Sequence, residues 1–322
     1  MDHSEATMIA LTIKAGNTRW CRVLALGLLL VVSCWSMGGA VDLEPTHIHF
    51  GFSASAFSGV NRNDAEAAFK AFLISVGRRR GYDLQVSTQI FDDPTDFETA
   101  INQGKVQLAI INTWSFIGME IREVAEPLFS TIEDGITGYR YLLLTAREGR
   151  EMMLGDLRGK EIPLMNAGRC ALMGVWLDTL LMGNGVKKQS GFFSRMEGVD
   201  KPSAAVLPVF FGKKTACVVD EGGFRIMKEL NPQIGEKLQV AATSEPLLAH
   251  VLCLARSWPQ QGTLRQDSIQ ALRELDREPA GKQVMTLFKI SGLAPFQETH
   301  LDTVRRLRTA HNQRNPRDRN SR

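Results

Sequence analysis

Asp93–Phe116, DPTDFETAINQGKVQLAIINTWSF, encodes a helix, a stop, a strand and a polar turn in quick succession. Asp92 or Asp93 can cap the helix, and Pro94 suits its first position, where the missing N–H would have had no partner anyway. Phe97 and Ile101 recur at i, i+4 and share one face. Gly104 fits the left-handed conformation that ends helices. Val106–Ile111 is a short, mostly apolar run, as expected of a strand covered on both faces. It delivers Asn112, Thr113, Trp114 and Ser115 to its carboxyl end. Ligands of open α/β sheets bind outside the carboxyl ends of the strands, so Thr113, Trp114 and Ser115 lead the ligand-binding candidates. Trp114 would form an apolar wall or offer an indole donor; burial in the core is its competing role.

The flanking sequence repeats this grammar. Ile48–Phe52 reads as a strand. Asp64–Arg78 has Ala65, Ala68, Phe69, Phe72, Leu73 and Val76 at helical spacing, with Arg78–Arg80 at the end where cations complement the helix dipole. Leu84–Ile90 is the next strand. This β-α-β-α-β order predicts a parallel sheet with crossover helices. Gly138–Thr145 reads as a strand leaving that unit, and Glu161–Leu164 starts a second sheet. The second unit continues with helices at Arg169–Met182, Ala204–Phe211 and Gly222–Leu230, and strands at Thr215–Val219 and Leu238–Ala242. Val251–Ala255 returns to the first unit, followed by helices at Leu264–Leu275, Lys282–Ile290 and His300–Arg308. The expected fold is therefore α/β and two-lobed, each lobe a mostly parallel sheet flanked by helices. Lobe 1 takes residues 41–138 and 248–310, and lobe 2 takes 139–247. Two crossings make a hinge that can close on a ligand.

With 322 residues, 44% hydrophobic and 23% charged, the chain can hold two domain-sized units. Lys14, Arg19 and Arg22 precede the apolar run Val23–Val32, and small residues Gly38-Gly39-Ala40 follow, so residues 1–40 read as a signal peptide. The run is short for a spanning helix. Val31-Val32-Ser33-Cys34 also resembles a lipobox, so a periplasmic destination is expected either as a cleaved, free protein or lipid-anchored at Cys34. Cys170, Cys217 and Cys253 show no metal-ligand spacing, and three thiols cannot all pair within one chain. Cys217 suits a small core position. The net charge of +3 is concentrated at the end: Arg305–Arg322 holds seven arginines and one aspartate. Residues 311–322 read as a disordered basic tail. It lacks aromatic interleaving, and an exported protein rarely meets nucleic acid, so no nucleic-acid partner is expected.

Further polar groups fall where strands meet helices. Ser53-Ala54-Ser55 follows the first strand; Ser53 and Ser55 can donate hydroxyls to a ligand that approaches closely, or simply form a polar turn. Asn166-Ala167-Gly168-Arg169 lies between a strand and a helix, where free amides make an oxyanion site. Asn166 and Gly168 would contribute there and Arg169 would add a forked, permanent charge; a plain turn capped by Asn166 is the alternative. Tyr139 and Tyr141 share a face at the first crossing, reaching either the cleft or the hinge core. Asp220 and Glu221 end a strand, where Asp220 can cap the next helix.

Four blocks stand out: Ile48–Phe57, IHFGFSASAF; the opening segment; Asp156–Leu164, DLRGKEIPL; and Ala204–Glu221, AAVLPVFFGKKTACVVDE. They resemble periplasmic solute-binding proteins of the phosphate/phosphonate type, the receptors of ABC transporters. In order, they span most of residues 47–256. The resemblance implies a type II periplasmic-binding-protein fold, a small anionic ligand and a membrane permease as partner. A membrane sensor is the alternative partner, and a degenerate binder without ligand a further alternative. It also implies that Asp220 holds a cationic group on the ligand. Where the family is rich in Ser and Thr, this chain has Asn166–Arg169, so a carboxylate or sulfonate fits as well as a phosphonate.

Catalysis has no support in the motifs: G-x-S-x-G, H-E-x-x-H, the P-loop and G-x-G-x-x-G are all missing from the sequence. The histidines are scattered, and His47 and His49, which share a strand face, read as an exposed strand start. No enzymatic activity, cofactor or metal is expected.

Overall fold

A computed structural model describes residues 45–314 apart from 119, 134, 148–152, 187–190 and 260–261. The signal-peptide and lipobox segment and residues 315–322 lie outside the described residues.

β1 (Pro45–Ser53) sends Ile48, Phe50 and Phe52 to one face of the first sheet. They meet α1 (Arg62–Arg79), where Phe69 lies 4.3 Å from Phe50 between ring centroids. The helix is capped by Asn61, which accepts from the Asp64 amide, and ends in Arg78 and Arg79 beside its free carbonyls. β2 (Asp83–Phe91) runs parallel to β1. α2 (Pro94–Asn102) covers the opposite face, started by Asp93, whose carboxylate accepts from the Thr95 amide. Phe97 of α2 stacks on Phe91 at 4.4 Å and lies over Gly51, where a Cβ would come within 2.5 Å of its ring. Glycine in mid-strand here is what allows the helix so close. Gly104, at φ +69°, turns the chain into β3 (Leu108–Asn112), parallel to β1 on its other side. The polar stretch after β3 is a short helix, α3 (Thr113–Gly118). β4 (Ala125–Glu133) and β5 (Ile136–Thr137) then form a hairpin.

The second sheet comprises β6 (Tyr141–Ala146), β7 (Glu161–Met165), β8 (Arg195–Val199), β9 (Ala216–Asp220) and β10 (Leu238–Thr243), in the order β10-β6-β9-β7-β8. Its helices are α4 (Met173–Gly183), α5 (Pro202–Phe210) and α6 (Glu221–Leu230). β11 (His250–Ala255) returns to the first sheet, followed by α7 (Thr263–Arg273), α8 (Pro279–Phe288), β12 (Gly292–Pro295) and α9 (Asp302–Arg314). The first sheet has the order β12-β4-β11-β3-β1-β2, with β5 on β4.

Both sheets are mixed rather than mostly parallel. β11 is antiparallel to β3 and β4, and β6 is antiparallel to β9 and β10. The strands flanking the crossings, β6 and β11, each run against both neighbours, and β12 runs against β4. The two crossing segments are themselves paired, with Tyr139 and Leu247 exchanging amide hydrogen bonds of 2.9 Å each. Gly138 makes this approach possible, since at φ +91° a Cβ would sit 2.9 Å from the Leu247 carbonyl carbon. Cys170, Cys217 and Cys253 are buried and outside any disulfide among the described residues, and burial pushes the thiols of Cys217 and Cys253 up.

α9 departs from the sequence reading. It runs to Arg314, through the first residues of the stretch expected to be a disordered tail, and His311 in its last turn is buried. Its neighbours belong to both halves. Arg308 Nη1 donates to the Trp114 carbonyl at 2.7 Å, and His311 Nδ1 lies 3.1 Å from Thr179 Oγ1 in α4. Long-range packing of a mostly polar helix left no local trace in its sequence.

The halves also touch directly: the Gly168 amide donates to the Ser58 carbonyl at 2.7 Å. A Cβ at Gly168 would lie 2.8 Å from the Ala56 carbonyl oxygen, a backbone atom with little room to yield. Gly168→Ala is therefore expected to push the halves apart and raise the radius of gyration measured by small-angle scattering. Gly155→Ala, whose Cβ meets nothing within 4 Å, should leave it unchanged. Equal radii for the two variants would show that this contact does not set the closed spacing.

Candidate functional site

The order β11-β3-β1 brings three strand ends to one rim of the first sheet: His250, Asn112 and Ser53. His250 and Asn112 are direct partners in the ladder. After Ser53 the chain turns through the 3-10 segment Ala54–Phe57, which places Ser55 over the same rim. A hydrogen-bond network follows. The Asn112 amide donates to Ser53 Oγ at 3.0 Å, and its side-chain Nδ2 lies 3.3 Å from Ser55 Oγ. Asn112 Oδ1 accepts from the Trp114 amide at 2.8 Å. His250 Nε2 lies 2.9 Å from Ser55 Oγ. His250 is buried, and desolvation pushes its pKa down to about 4, so it is neutral at ordinary pH.

Beyond this rim lies a cleft of about 250 Å³. Ser53, Ser55, Asn112, Trp114 and Ser115 line it from the first half, and Ala171, Leu172 and Val175 from the second. The second wall is the turn that leads into α4, where the Ala171 amide donates to the Gly168 carbonyl, together with Val175 in the first turn of the helix. Among the described lining residues there is no lysine, arginine or histidine, and Asp92, exposed, is the ionisable one. Trp114 is held from behind by α9: the Arg308 guanidinium stands 5.1 Å over its ring, and the His311 ring meets it edge-on at 5.5 Å.

The structure thus brings Ser53, Ser55, Trp114 and Ser115 together and places the other expected residues elsewhere. Thr113 is fully buried, and its hydroxyl donates to the Leu248 and Ala249 carbonyls, tying α3 to the return crossing. Tyr139 sits in the bridge between the crossings and is buried. Asn166 is exposed, and its amide pairs with the Val199 carbonyl rather than facing the cleft. Gly168 is the contact between the halves.

Arg169 and Asp220 pair with each other. Arg169 Nη2 donates to Asp220 Oδ1 at 3.0 Å, Nε stands 3.0 Å from Oδ2, and the two side chains are 8% and 2% exposed. Asp220 also caps α6, accepting from the Gly223 amide at 2.9 Å. The guanidinium expected to grip an anion and the carboxylate expected to hold an amine therefore neutralise one another inside the second half. Asn112 and His250, conversely, were absent from the expected site. Their role comes from strand register, which no local pattern announces.

The family model for the ABC transporter phosphonate periplasmic substrate-binding protein matches residues 55–301. The chain belongs to that family. Solved structures of the same fold include XAC2383 from Xanthomonas citri bound to ATP, at 15% identity, TM-score 0.58, covering 84% of this chain and 98% of that one. The binding-protein component of an ABC phosphonate transporter from Pseudomonas aeruginosa matches at 16% identity and TM-score 0.56, covering 83% and 87% of the two chains. PhnD1 from Prochlorococcus marinus, in complex with methylphosphonate, matches at 12% identity and TM-score 0.54, covering 83% and 98%. No curated protein sequence matches the chain. The two-lobed binding-protein fold is thereby shown, and with it the ligand-binding component of an ABC transporter, a small-molecule ligand, a membrane permease as partner and a periplasmic location. The family gives no support to a membrane sensor as that partner. Among the described residues no helix is long and apolar enough to cross a membrane.

Two outcomes follow from the site's electrostatics. Arg169→Ala leaves Asp220 buried without its counter-charge and is expected to cost about 3–5 kcal/mol in urea unfolding. A cost below 1 kcal/mol would instead mark an arginine waiting for a ligand. For His250 the folded pKa lies below the ordinary value, so the stability tied to its neutral form is complete above pH ~6.5 and is lost as pH falls toward about 4. The melting temperature of the native protein should drop more steeply across that window than that of His250→Gln.

Proposed function

We propose that the cleft holds a compact oxyanion, a phosphonate or a phosphate-like solute, through neutral donors alone, and that the halves close on it for delivery to the permease. The observation that carries this reading is that Ser53, Ser55, Asn112 and Ser115 of the first half line one cleft opposite Ala171–Val175 at the entry to α4. Helix amino-termini and hydroxyls bind oxyanions without a counter-ion. Closure lowers the local dielectric and strengthens each such bond. Ser55 is central. With His250 neutral and its Nε2 carrying the proton, Ser55 Oγ accepts from both His250 and Asn112 and turns its own hydrogen to the cleft. Asp92 stands exposed on the rim, where water and salt screen its repulsion of an anion. Among the described residues no acid–base pair lines the cleft, and the buried histidine is engaged by Ser55, an arrangement suited to binding.

Thermal-shift and calorimetric titrations with methylphosphonate, phosphate, sulfonates and carboxylates test this. A true ligand at a hundred times its dissociation constant stabilises by about 2.7 kcal/mol. Ser55→Ala should weaken it by roughly ten- to a hundredfold, the worth of a hydrogen bond to a charged group. The absence of any shift with all four classes, or unchanged affinity in Ser55→Ala, would overturn the assignment.

A further inference from the structure

We infer that a second groove, beside the hinge, binds a small organic anion: one acidic group carried on an apolar, ring-sized body. It shares no lining residue with the cleft.

The groove measures about 510 Å³, within the range of small-molecule sites, roughly 300–1,000 Å³. One stripe of α6 lines it: Glu221, Phe224, Arg225 and Lys228 recur at i, i+3, i+4 and i+7. Val240 of β10, Ile136 of β5, and Arg140 and Pro246 of the two crossings belong to the same lining. An occupant therefore lies against the hinge segments themselves.

The apolar part is unusual for a surface. Ile136 and Val240 are 53% and 46% exposed, and they share the groove with the Phe224 ring. Single exposed apolar residues are ordinary, whereas several in one concavity mark a place for an apolar guest. The register of β10 against β6 also shifts between Val240 and Ala242, at the edge of the second sheet. Bulges at sheet edges re-aim side chains.

Charge supplies the other half of the argument. Arg140, Arg225 and Lys228 line the groove together with Asp220 and Glu221. Asp220 is matched by Arg169 inside the second half. Glu221 stands 3.7 Å from Arg140, and Arg225 is 3.9 Å from Glu229, both pairs largely in solvent. Such pairs contribute little and yield readily. Lys228 has no carboxylate partner among the described residues, and its ammonium rests 5.0 Å from the Phe224 ring centroid. An anion at Lys228 thus gains a charge-assisted bond without first breaking an ion pair, while its body covers Phe224 and Val240. This groove attracts by charge, which the neutral walls of the cleft do not.

Fluorescence titration of the native protein with anilinonaphthalene sulfonate, an aromatic body bearing one anionic group, tests this. Saturable binding is expected. Lys228→Glu should weaken it about tenfold or more, the worth of a hydrogen bond to a charged group. Val240→Asp, at an exposed position, should weaken it as well. Phenylnaphthylamine, the same body without the sulfonate, should bind the native protein about tenfold more weakly or worse. In amide NMR spectra the dye should shift Gly138 and Gly222, which line the groove, and leave Ser53 and Asn112 of the cleft in place. The assignment is overturned by any one of these results: no saturable binding, unchanged affinity in either variant, equal binding of the neutral dye, or shifts at the cleft in place of the groove.

Discussion

β11 is the strand on which the rest of the molecule depends. It is buried along its whole length and is hydrogen-bonded to β3 on one side and β4 on the other. Without that pairing the return crossing has no fixed end, and the Tyr139–Leu247 bridge that joins the two crossings has nothing to register against. The same ladder sets the rim. Because His250 pairs with Asn112, and β3 pairs with β1, a histidine far along the chain is delivered next to Ser55. Hinge and site are therefore consequences of one register, and a one-residue slip would turn His250 to the opposite face of the sheet.

The second constraint is charge. A buried guanidinium and a buried carboxylate are each costly alone and tolerable when forked onto each other with remaining groups satisfied. Arg169 and Asp220 meet the first condition through one hydrogen bond and a second close ion-pair contact, with the α6 cap taking a further lone pair of Asp220, while Arg169 Nε lacks a well-aligned hydrogen bond. The consequence for binding is that the cleft is left electrically neutral on its inner walls. Selectivity in such a site rests on donor geometry, since a neutral set of hydroxyls and amides rewards oxygen atoms in the right positions and gives no general attraction to anions.

How much of this was legible in the sequence follows from what is local. Asp93, Pro94 and Gly104 act within one or two turns of themselves, so the opening helix, its stop and the following strand could be read directly, and the structure has them at Pro94–Asn102 and Leu108–Asn112. β8, with the sequence RMEGV, has no apolar alternation and exists because β7 offers it a partner. β4 carries Pro127 and a register shift against β11, which obscures its pattern. At the site, Ser53, Ser55, Trp114 and Ser115 follow strand ends that were visible. The pairing of Arg169 with Asp220, the burial of Thr113 and the arrival of His250 depend on which strands become neighbours, and hydrophobic periodicity carries no such information.

α9 shows how the site and the closure of the halves are joined. Trp114 lines the cleft, and its backbone and ring are held by Arg308 and His311 of α9. The same helix contacts α4 through Thr179, about one turn beyond Val175 of the opposite wall. A hinge motion that widens the cleft separates α3 from α4, and α9 cannot follow both. It must release the Thr179–His311 contact or carry His311 away from Trp114. α9 thus ties the spacing of the halves to the support of Trp114, because one side chain, His311, meets both Thr179 and the Trp114 ring.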